Sequence, residues 1–269
     1  MTKILVNKVY GGDKVVCHPP GEELPWREFI PFLEGGGDFR DIRKNPLKRR
    51  QIYIYETEGK KFHIKRINLI SSERVKDKVK GVLKRKSPAR ELAEKTAMLA
   101  KIGVGVIYPC YAIEKKALIK KENLFITPYI RCPQLAELLS SGEVALEDKK
   151  ELFASAVSDL RKMHDARIFH ADAHARNIMV KSGKLLWCDL DKTKISRFLI
   201  SKGGWYRGRR KDCFKLFRAV VKILIQGGLW NSALQNDIIR LFETNYPGYG
   251  IMKKIVYRRT AGEFKEFEY

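Results

Sequence analysis

The sequence predicts an α+β protein, with strands in its first half and helices in its second. Segments 51–56 (QIYIYE) and 61–67 (KFHIKRI) alternate apolar and polar residues with the period of a half-buried strand. Segment 147–164 (EDKKELFASAVSDLRKMH) instead puts Leu152, Phe153, Ala156, Val157, Leu160 and Met163 on one helical face, and the chain after residue 200 is mostly helical in pattern. A run of strands followed by a run of helices is the order of an α+β chain. The change of period sets a boundary near Ile130–Pro133 and divides the chain into candidate domains 1–130 and 131–269.

Each element has a local reason. In residues 1–35, Pro19, Pro20, Gly21 and Pro25 mark loops. Glu58-Gly59 between the two alternating segments reads as the turn of a β-hairpin. Residues 73–86 are highly charged and helix-permissive. Ser87-Pro88 then opens a helix, with serine as cap and proline at the first position. That helix runs with Leu92, Thr96, Leu99 and Ala100 near helical spacing and stops at Gly103. Two more strands are expected at Ile107–Ile113 and Asn123–Ile130, and a short helix at Gln134–Leu139.

Composition narrows the partners. The 269 residues suffice for one large domain or two small ones. Fifty-four Lys and Arg against 31 Asp and Glu leave a net charge of +23, which implies a polyanionic partner such as nucleic acid, an anionic membrane or a phosphorylated substrate. No apolar run is long enough to span a bilayer, and the stretch MTKILVNKVYGGDK is too short in apolar residues for a secretory signal, so the expected location is the cytosol. The five cysteines, Cys17, Cys110, Cys132, Cys188 and Cys213, form no C-x-x-C pair and read as mostly buried free thiols.

The segment RIFHADAHARNIMVKSGKLLWCDLDK carries the chemistry. It holds His170-x-Asp172-x4-Asn177, an apolar strand, and Asp189-Leu190-Asp191. Upstream lie a strand lysine, Lys65, and a helix with Glu91 and Glu94. The order strand lysine, helix glutamate, H-x-D-x4-N, strand, D-L-D is the signature order of the protein-kinase-like fold, a bilobal arrangement with a small β-rich N-lobe and a mostly helical C-lobe.

Each residue type has a physical role in that chemistry. Phosphoryl transfer spreads negative charge over the transferred oxygens, so the protein must supply cations and position. Lys65 suits the phosphates of ATP, and a helix carboxylate suits that lysine; Glu91 is preferred, with Glu94 one turn away left open. Asn177 and Asp189 offer hard oxygens for Mg²⁺. Asp172 fits the base that takes the acceptor proton. Phe62 and Ile64 can share a core face, leaving Lys65 on the opposite one. His170 reads as an organiser of the loop. His174 stands two after Asp172, where protein kinases of the eukaryotic type usually carry lysine; it either faces the acceptor or braces the loop.

Segment NLFITPYIRCPQLAELL resembles a kinase hinge. Pro128 can still accept through its carbonyl and Ile130 can donate its N–H to adenine. Three departures stand out. There is no G-x-G-x-x-G; Gly35-Gly36-Gly37 is a phosphate-covering turn or an ordinary loop. His63 stands two before Lys65, where kinases usually carry alanine, and Asp191 replaces the glycine of D-F-G.

The segments KRRQIYIYETEGKKFHIKR, SPARELAEKTAMLAKIGVGVIYP, FHADAHARNIMV, LLWCDLDKTK and RRKDCFKLFRAV together resemble the bacterial lipopolysaccharide core kinases, in particular the core heptose (II) kinase family, over roughly residues 40–220. The resemblance implies an ATP- and Mg²⁺-dependent enzyme that phosphorylates a heptose hydroxyl of the lipopolysaccharide inner core. It implies a peripheral site of action at the cytoplasmic face of the bacterial inner membrane. It also places Asp212 where the family braces its catalytic loop. The charge agrees with a glycolipid acceptor. Residues 40–86 hold 17 Lys and Arg against 5 Asp and Glu, and residues 192–218 hold 10 against 1. The second segment mixes Ile195, Phe198, Leu199, Ile200, Trp205 and Tyr206 with its cations, which reads as a face for the anionic leaflet or as core residues beside solvated charges. The competing expectations are a small atypical protein kinase, a small-molecule phosphotransferase, and a basic nucleic-acid-binding module with a degenerate kinase fold. Nucleic acid is disfavoured because only Trp205-Tyr206 resembles a stacking platform.

Overall fold

The computed structural model describes residues 9–10, 13–15, 26–29, 32, 40–44, 50–57, 59–68, 87–116, 121–196 and 202–246. It is an α+β structure of two compact units. One comprises Met1–Met98 with Ile107–Arg131, the other Leu99–Val106 with Cys132–Tyr269. The segment Leu99–Val106 thus belongs with the second unit, although it precedes two strands of the first.

The first unit is built on a seven-stranded antiparallel sheet in the order β1-β2-β6-β7-β5-β4-β3. Its strands are β1 (Val9–Tyr10), β2 (Asp13–Val15), β3 (Arg40–Lys44), β4 (Arg50–Thr57), β5 (Lys60–Asn68), β6 (Tyr111–Lys116) and β7 (Lys121–Pro128). The β4–β5 hairpin forms as its alternation predicts. Thr57 pairs with Lys60, and Gly59 takes φ 72°, a conformation that costs glycine little. On one face Tyr53, Phe62, Ile64, Ile113, Leu124 and Ile126 form a buried cluster. Phe29 and Phe32, from the stretch 1–35 in which the sequence marks loops but no element, complete that cluster, with the Phe29 ring edge-on to Phe62 at 5.3 Å. The turn Trp26–Phe29 is tied down by the hydroxyl of Tyr55, which donates to Glu28 across 3.1 Å.

Helix α1 (Pro88–Lys101) begins as the sequence predicts, with the N–H of Arg90 donating to Oγ of Ser87 at 3.1 Å. Ala89 and Ala93 pack with Ala112 and Phe125 on the other face of the sheet. The strand expected from Ile107 begins only at Tyr111. Pro109 has no N–H for a ladder, and Val106 instead bridges Trp187 within the second unit.

The second unit is mainly helical: α2 (Leu135–Ser140), α3 (Leu146–Asp165), α4 (Lys202–Gln226) and α5 (Ser232–Asn245). Gln134 caps α2 in a reciprocal box with Glu137, and Asn231 caps α5 by accepting from the N–H of Leu234 at 2.8 Å. Phe153, Leu160 and Met163 are buried, as the α3 pattern requires, with Leu216 and Val220 of α4 and Ile238 and Phe242 of α5; burial of each such side chain is worth about 2 kcal/mol. Two small antiparallel pairs carry the loops between α3 and α4. These are β8 (Ile168–Phe169) with β11 (Lys194–Ile195), and β9 (Ile178–Lys181) with β10 (Lys184–Trp187). Cys110, Cys132, Cys188 and Cys213 are free, the first and last buried; Cys17, residues 73–86, the Gly35–Gly37 turn and Phe198–Ile200 lie outside the described residues.

Candidate active site

The loop between β8 and β9 is held at both ends. His170 is fully buried, its Nε2 donating to the carbonyl of Cys188 at 3.1 Å and its ring against Trp187 at 5.2 Å. Burial keeps its proton affinity below the ordinary histidine value, so it acts as a neutral brace, as the sequence suggested. Trp187 is held in turn by its indole N–H on Oδ2 of Asp159 at 3.2 Å.

Beyond His170 the chain turns sharply, with Ala171 at φ 64°. The carbonyl of Asp172 then accepts the side-chain amide of Asn177 at 3.0 Å, and the N–H of Asn177 donates to the carbonyl of His174 at 2.8 Å. The N–H of Cys188 donates to the carbonyl of Asn177 at 2.8 Å, which brings the stretch leading to Asp189 alongside Asn177. Asp189 is exposed and left-handed, at φ 52°. With the Asn177 nitrogen committed to Asp172, its Oδ1 is the atom left for a cation. A carboxamide oxygen and a carboxylate so joined suit a hard ion such as Mg²⁺, which keeps several waters.

The Asp172 carboxylate carries two partners that sequence reasoning missed. Lys192 donates to Oδ2 at 2.6 Å, and Lys215 of α4 donates to Oδ1 at 2.5 Å and to the carbonyl of Ala171 at 2.8 Å. Burial pushes the Asp172 proton affinity up, but the hydrogen bonds and charges of the two lysines outweigh it and hold the group well below the usual carboxylate range. Asp172 is therefore ionised at neutral pH, and a carboxylate offers about four lone-pair sites, so an acceptor hydroxyl can still donate to it. The signals for these lysines were faint: Lys192 directly follows D-L-D, and Lys215 shares a helix face with the buried Asp212 three residues before it.

His174 lies half-buried near this pair. Burial lowers its proton affinity, the charges of Lys215 and Arg176 lower it further, and those of Asp172 and Asp189 oppose them. Asp212, expected to brace the catalytic loop, gives its Oδ2 to Nε2 of His164 at the end of α3, at 3.3 Å, and its charge also acts on His170 of that loop. His164 continues through Nδ1 to the Tyr246 hydroxyl at 2.5 Å, which Arg209 Nε also meets at 2.5 Å. Arg209 lies over the half-buried Trp205 ring at 4.1 Å, and the exposed Tyr206 packs edge-on to the same ring at 5.1 Å.

In the strand-rich unit, Lys65 sits on β5 with β4 and β7 on either side, opposite Ile52 and Phe125. It shares a face with Phe125, which packs on Ala89 and Ala93 of α1, while its neighbours Phe62 and Ile64 point into the other core. Burial and the nearby charge of Lys65 lower the proton affinity of His63. Glu91 and Glu94 lie on α1, and Glu94 pairs with Arg90 at 3.3 Å. Pro128 ends β7 opposite Phe62, and Tyr129 donates to the carbonyl of Lys61 at 2.8 Å, so the following N–H of Ile130 leaves the ladder. Among the described residues, no helix is long and apolar enough to cross a membrane, and no cluster of three or more His, Cys, Asp or Glu forms a metal site.

One similar protein is the 3-deoxy-D-manno-octulosonic acid kinase of Vibrio cholerae serotype O1, 26% identical over 121 residues, which cover 44% of this chain and 48% of that protein. The match spans about half the length of that curated relative. The model of the lipopolysaccharide kinase (Kdo/WaaP) family matches residues 43–216, well over half of the 269, and takes in Lys65, Glu91, the whole Asp172–Asp189 region and Lys215. The chain belongs to the lipopolysaccharide kinase (Kdo/WaaP) family.

Proposed function

We propose that this protein is an ATP-dependent kinase that phosphorylates a sugar hydroxyl of the lipopolysaccharide inner core. The carrying observation is the braced loop in which Asp172 stays ionised and Asn177 is fixed beside the strand leading to Asp189. The fold is read as bilobal and protein-kinase-like, with 1–130 as the ATP-covering lobe and 131–269 as the catalytic lobe. Lys65 holds the phosphates. Glu91 is its carboxylate partner, with Glu94 one turn away as the alternative. The Pro128 carbonyl and Ile130 N–H meet adenine. Asn177 and Asp189 hold Mg²⁺, which supplies charge neutralisation on the phosphates. Asp172 orients the acceptor hydroxyl and takes its proton as the new phosphorus–oxygen bond forms. His174 faces the acceptor as a neutral group.

Two acceptors have support. The sequence resemblance favours a heptose hydroxyl. The similarity to a protein named 3-deoxy-D-manno-octulosonic acid kinase favours that sugar acid. The test offers Mg·ATP with labelled γ-phosphate to core glycolipids that end in one sugar or the other, with a mixed protein pool and an aminoglycoside in parallel. Label in one glycolipid alone identifies the acceptor. Label in protein or aminoglycoside, or none, overturns the reading.

We also place the protein at the cytoplasmic face of the inner membrane, as a peripheral protein. Arg207, Lys211, Arg218 and Lys222 are exposed and recur at helical spacing along α4, with exposed Tyr206 beside them. Each cation near an anionic leaflet contributes about 1 kcal/mol. Failure to bind anionic liposomes at low salt would remove the membrane part.

A further inference from the structure

Lys215 is the more firmly built of the two lysines on Asp172. It rises from the interior of a 25-residue helix, flanked by Asp212, Cys213, Leu216 and Phe217, all buried. Its ammonium group is held by two acceptors at once, the Asp172 carboxylate and the carbonyl of Ala171. Its side chain is 29% exposed, against 57% for Lys192, which among the described residues is held by the carboxylate alone.

That position matters for charge. An attacking oxygen that donates to Asp172 must lie about 3–3.5 Å from phosphorus to react. A cation already bonded to the same carboxylate is then within reach of the transferring group. The loop itself places an imidazole at position 174, which is not a fixed cation at neutral pH. Donors that are preorganised before reaction lose nothing by reorganising during it, and this is where electrostatic catalysis gains most.

We propose that Lys215 is a catalytic residue, its ammonium group neutralising charge on the phosphoryl group as that group passes to the acceptor oxygen beside Asp172. The inference rests on the kinase reading above. In the step, the bond from the γ-phosphorus to the β–γ bridging oxygen breaks and its electron pair leaves with ADP. A bond from phosphorus to the acceptor oxygen forms. The acceptor proton passes to Asp172, and Lys215 keeps its own protons throughout. Lys192, exposed and singly held, contributes to the ionised state of Asp172 without this role.

The test compares the full chain with Lys215→Met, Lys215→Arg and Lys192→Met. Methionine keeps the apolar stem, and the thermal melt of each variant reports folding. Two rates are read, transfer to core glycolipid and release of phosphate from Mg·ATP to water, together with Mg·ADP affinity by calorimetry. Lys215→Met is expected to lower kcat for both reactions by about 10²–10³-fold. The acceptor KM and the Mg·ADP affinity should stay within about threefold, and Lys215→Arg should recover at least about tenfold of the loss. Lys192→Met should lose less than about tenfold.

A raised acceptor KM with unchanged kcat would make Lys215 an acceptor clamp and overturn the proposal. So would a folded Lys215→Met with both rates near wild type, or an arginine variant that folds and recovers nothing. If the wild type releases phosphate to water but labels no core glycolipid, the acceptor reading fails while the Lys215 comparison still decides on hydrolysis alone. A wild type with neither activity overturns both.

Discussion

Asn177 donates its side-chain amide to the main-chain carbonyl of Asp172 across 3.0 Å, so one bond ties the loop together and commits the amide nitrogen, leaving the oxygen for a cation. The two consequences separate by mutation. Asn177→Asp keeps an oxygen for the cation but cannot donate to Asp172; Asn177→Ala loses both. The alanine variant should raise the Mg²⁺ concentration for half-maximal phosphate transfer by about 10–100-fold. The aspartate variant should raise it less, while its kcat still falls. An unchanged Mg²⁺ titration for Asn177→Ala would take Asn177 out of the ligand set.

Asp172→Ala should abolish transfer and leave the fold in place. The carboxylate is 14% exposed, but one of its lysines, Lys192, is 57% exposed and can swing into water when its partner is gone. Lys215, 29% exposed, keeps only the Ala171 carbonyl, so the loss should cost on the order of 1–3 kcal/mol, a shift of several degrees in Tm for a chain of this size. Transfer assays beside circular-dichroism melts separate the two effects. A variant with measurable sugar phosphorylation would end the assignment of Asp172 as the base.

Much of this was legible in the sequence because it was local. The β4–β5 alternation named Phe62 and Ile64 as core, and both are buried. Ser87-Pro88 named the start of α1, and the apolar stripe of α3 placed that helix to within a residue at either end. The rest was non-local or unpatterned. Strands β1, β2 and β3 have two, three and five residues, too few for a period to show. Phe29 and Phe32 sit in a proline-marked stretch and reach the sheet only through folding. Lys215 lies 43 residues from Asp172, within a segment whose many cations hid the one that bonds the carboxylate.

The stability of the helical unit should fall as pH drops below neutrality. His164 and His170 are buried with no exposed surface. Burial lowers the proton affinity of both. At His164 the carboxylates of Asp212 and Asp165 oppose that shift and the guanidinium of Arg209 adds to it, while the buried Tyr246 hydroxyl bonds its Nδ1. The ordinary value is 6.5, so just below it the unfolded chain binds protons that the folded chain does not. Stability then rises with pH through that window and levels off above it, by up to about 1.4 kcal/mol per pH unit for each histidine. Melts between pH 5 and 8 check this, and His164→Gln should show a lower Tm at pH 7.5 but a shallower slope. A Tm that does not change between pH 5 and 7 would contradict the burial of both rings.

Gly105 tests how tightly the platform under the catalytic loop is packed. A Cβ built there would lie 2.0 Å from the carbonyl oxygen of Leu185 and 3.2 Å from its carbon, both main chain, so no side chain can yield to make room. The same stretch pairs with β10, where the N–H of Trp187 donates to the carbonyl of Gly105 at 2.9 Å. Pushing β10 away would move the Trp187 ring that His170 packs against, and with it the loop that holds Asp172. Gly105→Ala should therefore cost about 3 kcal/mol in urea unfolding and lower phosphate transfer as well. At Gly208 the three atoms nearest such a Cβ belong to the Phe169 ring, at 2.6–3.0 Å; a side chain gives way at less cost than main chain, so Gly208→Ala should cost less than Gly105→Ala. Gly142→Ala, with nothing within 4 Å, should change stability by less than about 0.5 kcal/mol and leave transfer unaffected. If Gly105→Ala proved as mild as Gly142→Ala, β10 would be free to shift, and the rigid support assigned to His170 would be wrong.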